Sequence, residues 1–302
     1  MKEVLDNNRN ISYIIHGILI PIVGAIGFGG NVVGIGYLVF RDNRKRNHTF
    51  YLLLLTLFLF DLTFIASVTI MFSMRELFPH LYDEPVSAAT LYLDYWSFPM
   101  SYLTLFGSIY FTVAICFERY MAICLPLFYR TKRRHSFLYM FMIFSFIVIV
   151  NIPHFLEINM KEDDNGEMNL YPSSLRNNRM YYYVYGVGVK FLFQYILPYT
   201  TLIVLNIKIW KVLRLQKISD VSMPSEQATF QITMSSNVTN QRKIQSELAK
   251  LSLILVVLLM VCTPVGLVND IYEVIHGIEE VSRNSELQSY HKSFLYSTGY
   301  VN

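Results

Sequence analysis

Six stretches of this chain are long, apolar and almost free of charge, and they limit its fold more than any other feature. They are residues 11–40, 49–74, 95–117, 137–156, 180–207 and 251–269, interrupted only by Asp61 and Lys190. A bilayer hydrocarbon core about 30 Å thick needs about 20 apolar residues per helical crossing. Because backbone amides in lipid must be paired within their own segment, each stretch is predicted to be a membrane-spanning helix.

A shorter run, residues 293–302, is apolar and aromatic but too short to span a bilayer. We interpret it as a seventh crossing cut off by the end of the chain, with a short surface tail as the alternative. The predicted fold is therefore an all-α membrane protein. It forms a single domain, residues 1–302, built as a seven-helix bundle with a truncated seventh helix.

The composition excludes several other classes of protein. Of the 302 residues, 53% are hydrophobic and 16% are charged, whereas soluble domains carry about 25% charged residues. The net charge of +3 gives no basis for nucleic-acid binding through bulk electrostatics. The three cysteines lie in or beside apolar runs, which excludes a disulfide scaffold or a cysteine-rich zinc site. The seven histidines show no ligand spacing, so neither a metal nor a cofactor is expected.

The loops between these segments alternate in charge. The basic loops are 41–48, 118–135 and 208–250, and the acidic ones are 75–94, 157–179 and the segment after 269. Since Lys and Arg favour the cytoplasmic side in short loops, residues 1–10 are predicted to be extracellular at the plasma membrane. Asn10 then lies in a sequon open to glycosylation. An outer interfacial belt is predicted from Tyr181, Tyr182, Tyr183 and Tyr185.

One long segment, residues 216–241, is rich in Ser, Thr, Gln and Asn and contains Pro224. This composition is typical of a loop, and we expect it to be a mobile third cytoplasmic loop. Its hydroxyl groups are candidates for phosphorylation, and a plain solvated linker is the alternative interpretation.

Two polar residues, Asn31 and Asp61, lie midway along predicted membrane helices. An ionisable side chain at the bilayer centre costs about 2.5–3.5 kcal/mol on insertion scales, so Asp61 must face the bundle interior or water. Asn31 adjoins the spacing Gly30-x-x-x-Gly34, which permits close helix approach. We predict a polar interior site here. The alternative is that Asp61 serves only as a structural hydrogen-bonding group.

Polar residues also recur on one face of the third segment, at intervals close to a helical turn. They are Ser97, Ser101, Thr104, Ser108, Thr112 and Arg119. One interpretation is a hydrated path that leads inward to Arg119. The other is that the hydroxyl groups bond back to carbonyls of their own helix, as Ser and Thr often do in membranes.

A second polar group is expected near the outer ends of the fifth and sixth segments. Lys190 precedes Pro198, and Asp270 and Glu273 follow Pro264. With an α-helical rise these charges lie about 12, 9 and 13 Å from their prolines, so they share one level if the two prolines lie at the same depth. With Gln194 one turn below Lys190, they are predicted to line an outward polar pocket or to pair across it. Snorkelling of the charges to the lipid headgroups is the alternative.

The sequence Glu118-Arg119-Tyr120, at the inner end of the third segment and followed by Ala122 and Pro126, resembles the signature of rhodopsin-like G-protein-coupled receptors. The resemblance covers nearly the whole chain. Other matching positions are Gly30, Asn31, Leu57, Asp61, Pro198 and Pro264. It implies a receptor with no catalytic residues, in which Glu118 restrains Arg119 at rest and a bend at Pro264 opens a cleft for a heterotrimeric G protein.

The resemblance also implies an outer ligand site, for which the candidates are Asp94, Ser97, Ser101, Lys190, Gln194, Asp270 and Glu273. Ser101 stands where monoamine receptors carry an aspartate, which disfavours a monoamine. The pattern is similar to invertebrate FMRFamide-like neuropeptide receptors, and the acidic outer loops would attract a basic, amidated peptide.

The chain also departs from the family pattern. Asp94 stands where the family has its outer cysteine, and the second outer loop has no cysteine, so the usual disulfide between them cannot form. The sixth segment reads Val261-Cys262-Thr263-Pro264 without the common tryptophan. The sequence leaves two rival functions, a transporter and an intramembrane enzyme. A transporter of a small polar solute would also suit the polar stripe, but no inverted repeat is found, and no motif of an intramembrane enzyme is present.

Overall fold

The structure is a computed structural model that describes residues 13–40, 48–81, 88–127, 129, 136–162, 168–175 and 178–221. Within these residues, five helices are long and apolar enough to cross a membrane. They coincide with the first five predicted crossings. The sixth crossing and the short run 293–302 lie outside the described residues.

The helices are numbered α1 to α5 in chain order. Helix α1 has a π-helical part, Tyr13–Leu19, and an α-helical part, Ile20–Phe40. Helix α2 runs through His48–Val68, the π-helical turn Thr69–Ser73 and the α-helical turn Met74–Leu77. Helices α3 and α4 are Ala88–Cys124 and Ser136–Phe155. Helix α5 comprises Arg179–Tyr181, the π-helical parts Tyr182–Val189 and Phe191–Ile196, and the α-helix Leu197–Val221.

Helix α3 lies at the centre and packs against α2, α4 and α5, while α1 packs against α2. Its burial follows from its sequence, because small and hydroxylated side chains alternate with aromatic and aliphatic ones on a face turned towards the other helices. The largest buried apolar cluster joins four helices and contains Leu38, Phe50, Leu53, Leu54, Leu57, Phe106, Phe111, Ala114, Ile115 and Ile147. Gly107 allows the closest approach, since a Cβ there would come within 2.1 Å of the Phe60 ring.

Helix α1 meets α2 through glycines, but only partly through the spacing that the sequence suggested. A Cβ on Gly34 would come within 2.6 Å of the Phe58 ring, and one on Gly27 within 3.0 Å of Ile65. Gly30 faces open space, with no atom within 4 Å of such a Cβ. The close approach is therefore made by Gly27 and Gly34, two helical turns apart, and the role expected for Gly30 was wrong.

Helix α5 changes its winding at Pro198. The Leu197 amide still donates to the Leu192 carbonyl, five residues earlier, and α-helical winding follows. Proline has no N–H group and cannot continue such a ladder, which explains why the change falls here. A π-helix has more residues per turn and advances less per residue, so the 12 Å expected between Lys190 and Pro198 is an overestimate.

The far end of α5 corrects a second expectation. The α-helix continues to Val221, so the first residues of the predicted loop 216–241 are helical. The sequence has neither glycine nor proline between Tyr199 and Val221 to end the helix. The remainder of that predicted loop lies outside the described residues.

A β-hairpin connects α4 to α5. Strand β1, Ile158–Glu162, pairs antiparallel with β2, Met168–Pro172, and Met160 lies opposite Leu170. The hairpin is tied to the end of α4, since the Ser173 amide donates to the Glu157 carbonyl at 2.8 Å. We call this end of the bundle the hairpin end and the opposite end, where α3 finishes, the Arg119 end.

Candidate functional site

The Arg119 end contains a buried ion pair between consecutive residues of α3. The Arg119 Nη2 and Glu118 Oε2 atoms are 2.5 Å apart, and the two side chains are 0% and 1% exposed. The other Glu118 carboxylate oxygen accepts a hydrogen bond from the Tyr129 hydroxyl. The Arg119 guanidinium carbon lies 3.9 Å from the centroid of the Phe50 ring of α2. These four residues, Phe50, Glu118, Arg119 and Tyr129, form what we call the Arg119 cluster.

A buried arginine is stable only when neighbouring groups compensate its charge, and Arg119 has such neighbours. Its guanidinium is shielded from solvent and has a carboxylate and an aromatic ring beside it. Truncating one partner of such a buried pair leaves an uncompensated charge, which is strongly destabilising. Tyr120, the third residue of the motif, turns instead towards α5, where the Lys208 Nζ lies 5.5 Å from its ring centroid.

Asp61 lies in the middle of the bundle, between α2 and α3. Its Oδ1 accepts a hydrogen bond of 2.6 Å from the Ser108 hydroxyl. Asn31 of α1, which was expected to share a polar site with Asp61, donates its side-chain amide to the Gly27 carbonyl of its own helix at 2.9 Å. The geometry therefore shows an Asp61–Ser108 contact between helices and a local contact for Asn31.

The predicted polar stripe of α3 is buried over most of its length, from Ser97 to Arg119. Its hydroxyl groups mostly bond within the helix: Ser101 donates to the Phe98 carbonyl at 2.7 Å, Thr104 to Met100 at 2.6 Å and Thr112 to Ser108 at 2.9 Å. Of the two interpretations, bonding back to the helix describes these three residues. Ser108 is the member of the stripe whose hydroxyl group bonds to another helix.

A second polar cluster lies at the hairpin end and centres on Glu157, directly after α4. Its Oε1 atom lies 2.9 Å from the His154 Nδ1 and accepts a 2.6 Å hydrogen bond from the Tyr181 hydroxyl. His154 stacks on the Tyr102 ring of α3, with centroids 4.2 Å apart and planes inclined by 10°. The buried Glu157 carboxylate therefore joins α4 to α5, its backbone carbonyl binds the hairpin, and α3 is joined to the carboxylate through His154.

Further aromatic contacts enclose this group. Tyr185 stacks on Tyr181 with centroids 5.1 Å apart, and its hydroxyl donates to the Val150 carbonyl of α4 at 2.6 Å. The Lys190 Nζ lies 5.0 Å from the centroid of the Tyr102 ring. We call the six residues the Glu157 cluster: Tyr102, His154, Glu157, Tyr181, Tyr185 and Lys190.

Comparison with known proteins assigns this architecture to a family. The model of the seven-transmembrane receptors of the rhodopsin family matches residues 30–302, which is most of the chain. The chain belongs to the rhodopsin family of receptors. The expected seven-helix fold is therefore confirmed, and the buried Glu118–Arg119 pair lies at the end of the third helix of a receptor bundle.

A relative within this receptor family supports the resemblance found in the sequence. The FMRFamide receptor of Drosophila melanogaster is 27% identical over 225 residues, which is 70% of this chain and 39% of the relative. The chain thus spans less than half the length of the receptor that it matches.

The predicted ligand residues differ in burial and in the contacts that they make. Asp94, Ser97, Ser101 and Gln194 are buried, and Lys190 is half-buried. Of these, Lys190 enters the Glu157 cluster, and the Gln194 amide lies 3.4 Å from the Tyr195 hydroxyl. Pro198 is fully buried in α5. Three candidates, Pro264, Asp270 and Glu273, and the predicted glycosylation site Asn10 lie outside the described residues.

Sequence reasoning missed most of what surrounds these residues. Glu157 was counted only as an acidic loop residue, and Tyr181 and Tyr185 only as members of an interfacial belt. The separation of three residues between His154 and Glu157, at the end of an apolar run, was an available signal, because side chains three apart meet on a helix. Nothing in the sequence pointed to Phe50 or Tyr102.

Proposed function

We propose that this receptor binds a short peptide at its hairpin end, outside the cell, and activates a heterotrimeric G protein at its Arg119 end. The observation that carries the proposal is the Glu118–Arg119 pair, sequestered at the end of α3 in a chain that belongs to the rhodopsin family. The basic residues of loops 41–48 and 118–135 support this orientation, since Lys and Arg favour the cytoplasmic side and the second of these loops contains Arg119.

The peptide part of the proposal is supported by the relative and by charge. A receptor for FMRFamide aligns with 70% of the chain, and the loops assigned to the hairpin end are acidic. An acidic surface attracts a basic, amidated peptide and raises its association rate. We therefore expect the peptide to approach the hairpin end, where the strand residues Asn159, Lys161 and Glu162 are exposed.

Activation follows from two states of the bundle with different affinities for ligand and G protein. In the resting state Arg119 is paired with Glu118 and shielded from the cytoplasm. In the active state the Arg119 side chain turns towards the G protein, and the ligand favours this state by binding it more tightly at the hairpin end.

The test is ligand-dependent nucleotide exchange on a purified heterotrimer, with the full chain in lipid nanodiscs and a library of short amidated peptides. At least one peptide is expected to accelerate exchange in a saturable manner. The double variant Glu118→Gln with Arg119→Met, which removes both buried charges, should abolish the acceleration while surface expression persists. Gly36→Ala, where a Cβ would meet no atom within 4 Å, should leave the acceleration unchanged. Peptide-driven solute flux into vesicles without nucleotide exchange would instead establish a transporter.

A further inference from the structure

The ring of Phe50 lies against the charged group of Arg119. The distance from the Arg119 Cζ to the ring centroid is 3.9 Å, and both side chains are buried. Phe50 lies near the start of α2, so this contact joins α2 to the end of α3. An aromatic face attracts a guanidinium because of the negative charge at the centre of the ring, and the attraction grows when water is excluded.

The carboxylate beside Arg119 shows why the ring matters. Glu118 divides its carboxylate between two partners, with Oε2 towards Arg119 and Oε1 bonded to the Tyr129 hydroxyl. The carboxylate is a neighbour of Arg119 on the same helix and moves with it. Phe50, in contrast, belongs to another helix, so its attraction resists any movement of the Arg119 side chain away from α2.

We infer that Phe50 is a positioning residue that holds Arg119 in the resting receptor and must release it before Arg119 engages a partner at that end of the bundle. The hold on Arg119 follows from its contact with Phe50, and the effect of that hold on activation rests on the proposed function. Loss of a desolvated cation–π attraction shifts the ratio of resting to active receptor by about 30-fold.

A purely structural role for Phe50 must be separated from this one, because Phe50 also belongs to the apolar cluster with Leu53 and Leu54. Phenylalanines carrying one, two or three ring fluorines separate the two roles. Fluorine withdraws charge from the face of the ring with little change in its shape. A packing role is insensitive to this series, whereas an attraction to a cation weakens with each fluorine.

The first readout is basal nucleotide exchange by the full chain in nanodiscs, without ligand. Fluorination at Phe50 should raise the basal rate stepwise, and Phe50→Leu should raise it by up to about 30-fold. The matched control is the same series at Phe111, which is equally buried in the same apolar cluster and packs against the Phe60 ring. Fluorination there should leave the basal rate unchanged.

The second readout needs no G protein. The thermal midpoint of the purified chain should fall stepwise with fluorination at Phe50 when Arg119 is present. It should stay constant in the Glu118→Gln/Arg119→Met double variant, which leaves no buried carboxylate uncompensated. An equal fall in both backgrounds would show that Phe50 only packs, and the inference would be wrong. If the midpoints show the coupling but no peptide drives nucleotide exchange, the proposed function fails while the hold of Phe50 on Arg119 stands.

Discussion

The chain builds its two polar clusters in different ways. At the Arg119 end, the charged partners Glu118 and Arg119 are consecutive residues of one helix and are almost completely buried. At the hairpin end, the Glu157 carboxylate meets His154 of α4 and Tyr181 of α5, and aromatic rings of α3 and α5 surround them. The charged pair of the first cluster is local in sequence, whereas the second cluster depends on how three helices and a hairpin assemble.

This difference has a consequence for what each cluster can do. A charge pair on one helix changes its surroundings when that helix rotates or its neighbours move, without the pair itself being broken. A cluster shared among several elements instead fixes those elements relative to one another. The Arg119 cluster is therefore suited to switching, and the Glu157 cluster to holding the hairpin in place where the disulfide typical of the family cannot form.

The largest effect is expected from breaking the Arg119 pair on one side only. Arg119→Met leaves the Glu118 carboxylate buried opposite an apolar side chain, and the free energy of unfolding should fall by about 3–5 kcal/mol. The double variant Glu118→Gln with Arg119→Met removes both charges and should recover most of that stability without recovering nucleotide exchange. Denaturation in mixed micelles measures the free energy of unfolding. If the double variant were as unstable as Arg119→Met, an uncompensated Glu118 charge would not be the cause of the loss.

A smaller effect is expected from forcing α2 away from α3. Gly107→Ala would place a methyl group against the Phe60 ring, which is itself packed on Phe111 and Phe144. Overpacking of this kind costs about 1–3 kcal/mol. Because α2 contributes Phe50 to the Arg119 cluster and nothing to the Glu157 cluster, basal nucleotide exchange should rise while amide hydrogen exchange in the hairpin stays constant.

The control for Gly107 is Gly36→Ala. A Cβ on Gly36 would meet no atom within 4 Å, and alanine is favoured over glycine in a helix by about 0.5–1 kcal/mol. The thermal midpoint of this variant should stay the same or increase slightly. If both variants lower the midpoint equally, close packing at Gly107 does not set the distance between α2 and α3.

The Glu157 cluster is tested by removing its charge and keeping its shape. In Glu157→Gln, the side-chain amide oxygen can still accept a hydrogen bond from Tyr181, but the negative charge beside the His154 Nδ1 is lost. We expect a loss of about 1.5 kcal/mol, seen as roughly tenfold faster amide hydrogen exchange in the hairpin, with basal nucleotide exchange unchanged. Glu162→Gln, on an exposed strand position, should change neither. A rise in basal nucleotide exchange in Glu157→Gln would show that the two clusters are coupled.

The sequence predicted the helices well because membrane crossings follow from long apolar runs alone. The Glu118–Arg119 pair was expected from the resemblance to rhodopsin-like receptors, which the motif Glu118-Arg119-Tyr120 carries within one segment. The orientation of the α3 stripe was also accessible, because one helical period places Ser97 through Arg119 on one face. Each of these features is encoded within a single segment.

The features that could not be predicted depend on distances between segments. Phe50 reaches Arg119, and Tyr102 reaches His154, only because α2, α3 and α4 pack in one particular register, which no local spacing records. The role expected for Gly30 was wrong because the sequence shows the spacing of glycines but not which of them faces α2. The π-helical winding before Pro198 was missed because an apolar run looks alike in either winding.

The smallest effect is expected from the hydrogen bond that the Ser108 hydroxyl donates to Asp61 at 2.6 Å. Ser108 lies between the two clusters along α3. Hydrogen bonds between membrane helices contribute about 0.6 kcal/mol on average, so Ser108→Ala should lower the free energy of unfolding by about that amount. Ser101→Ala is the matched control on the same face of α3, because its hydroxyl bonds to the Phe98 carbonyl of its own helix. That carbonyl keeps its place in the helix when the hydroxyl group is removed, so a change near zero is expected. Unfolding in mixed micelles resolves the two variants, and equal losses would mean that the contact between α2 and α3 at Asp61 adds nothing beyond the loss of a hydroxyl group.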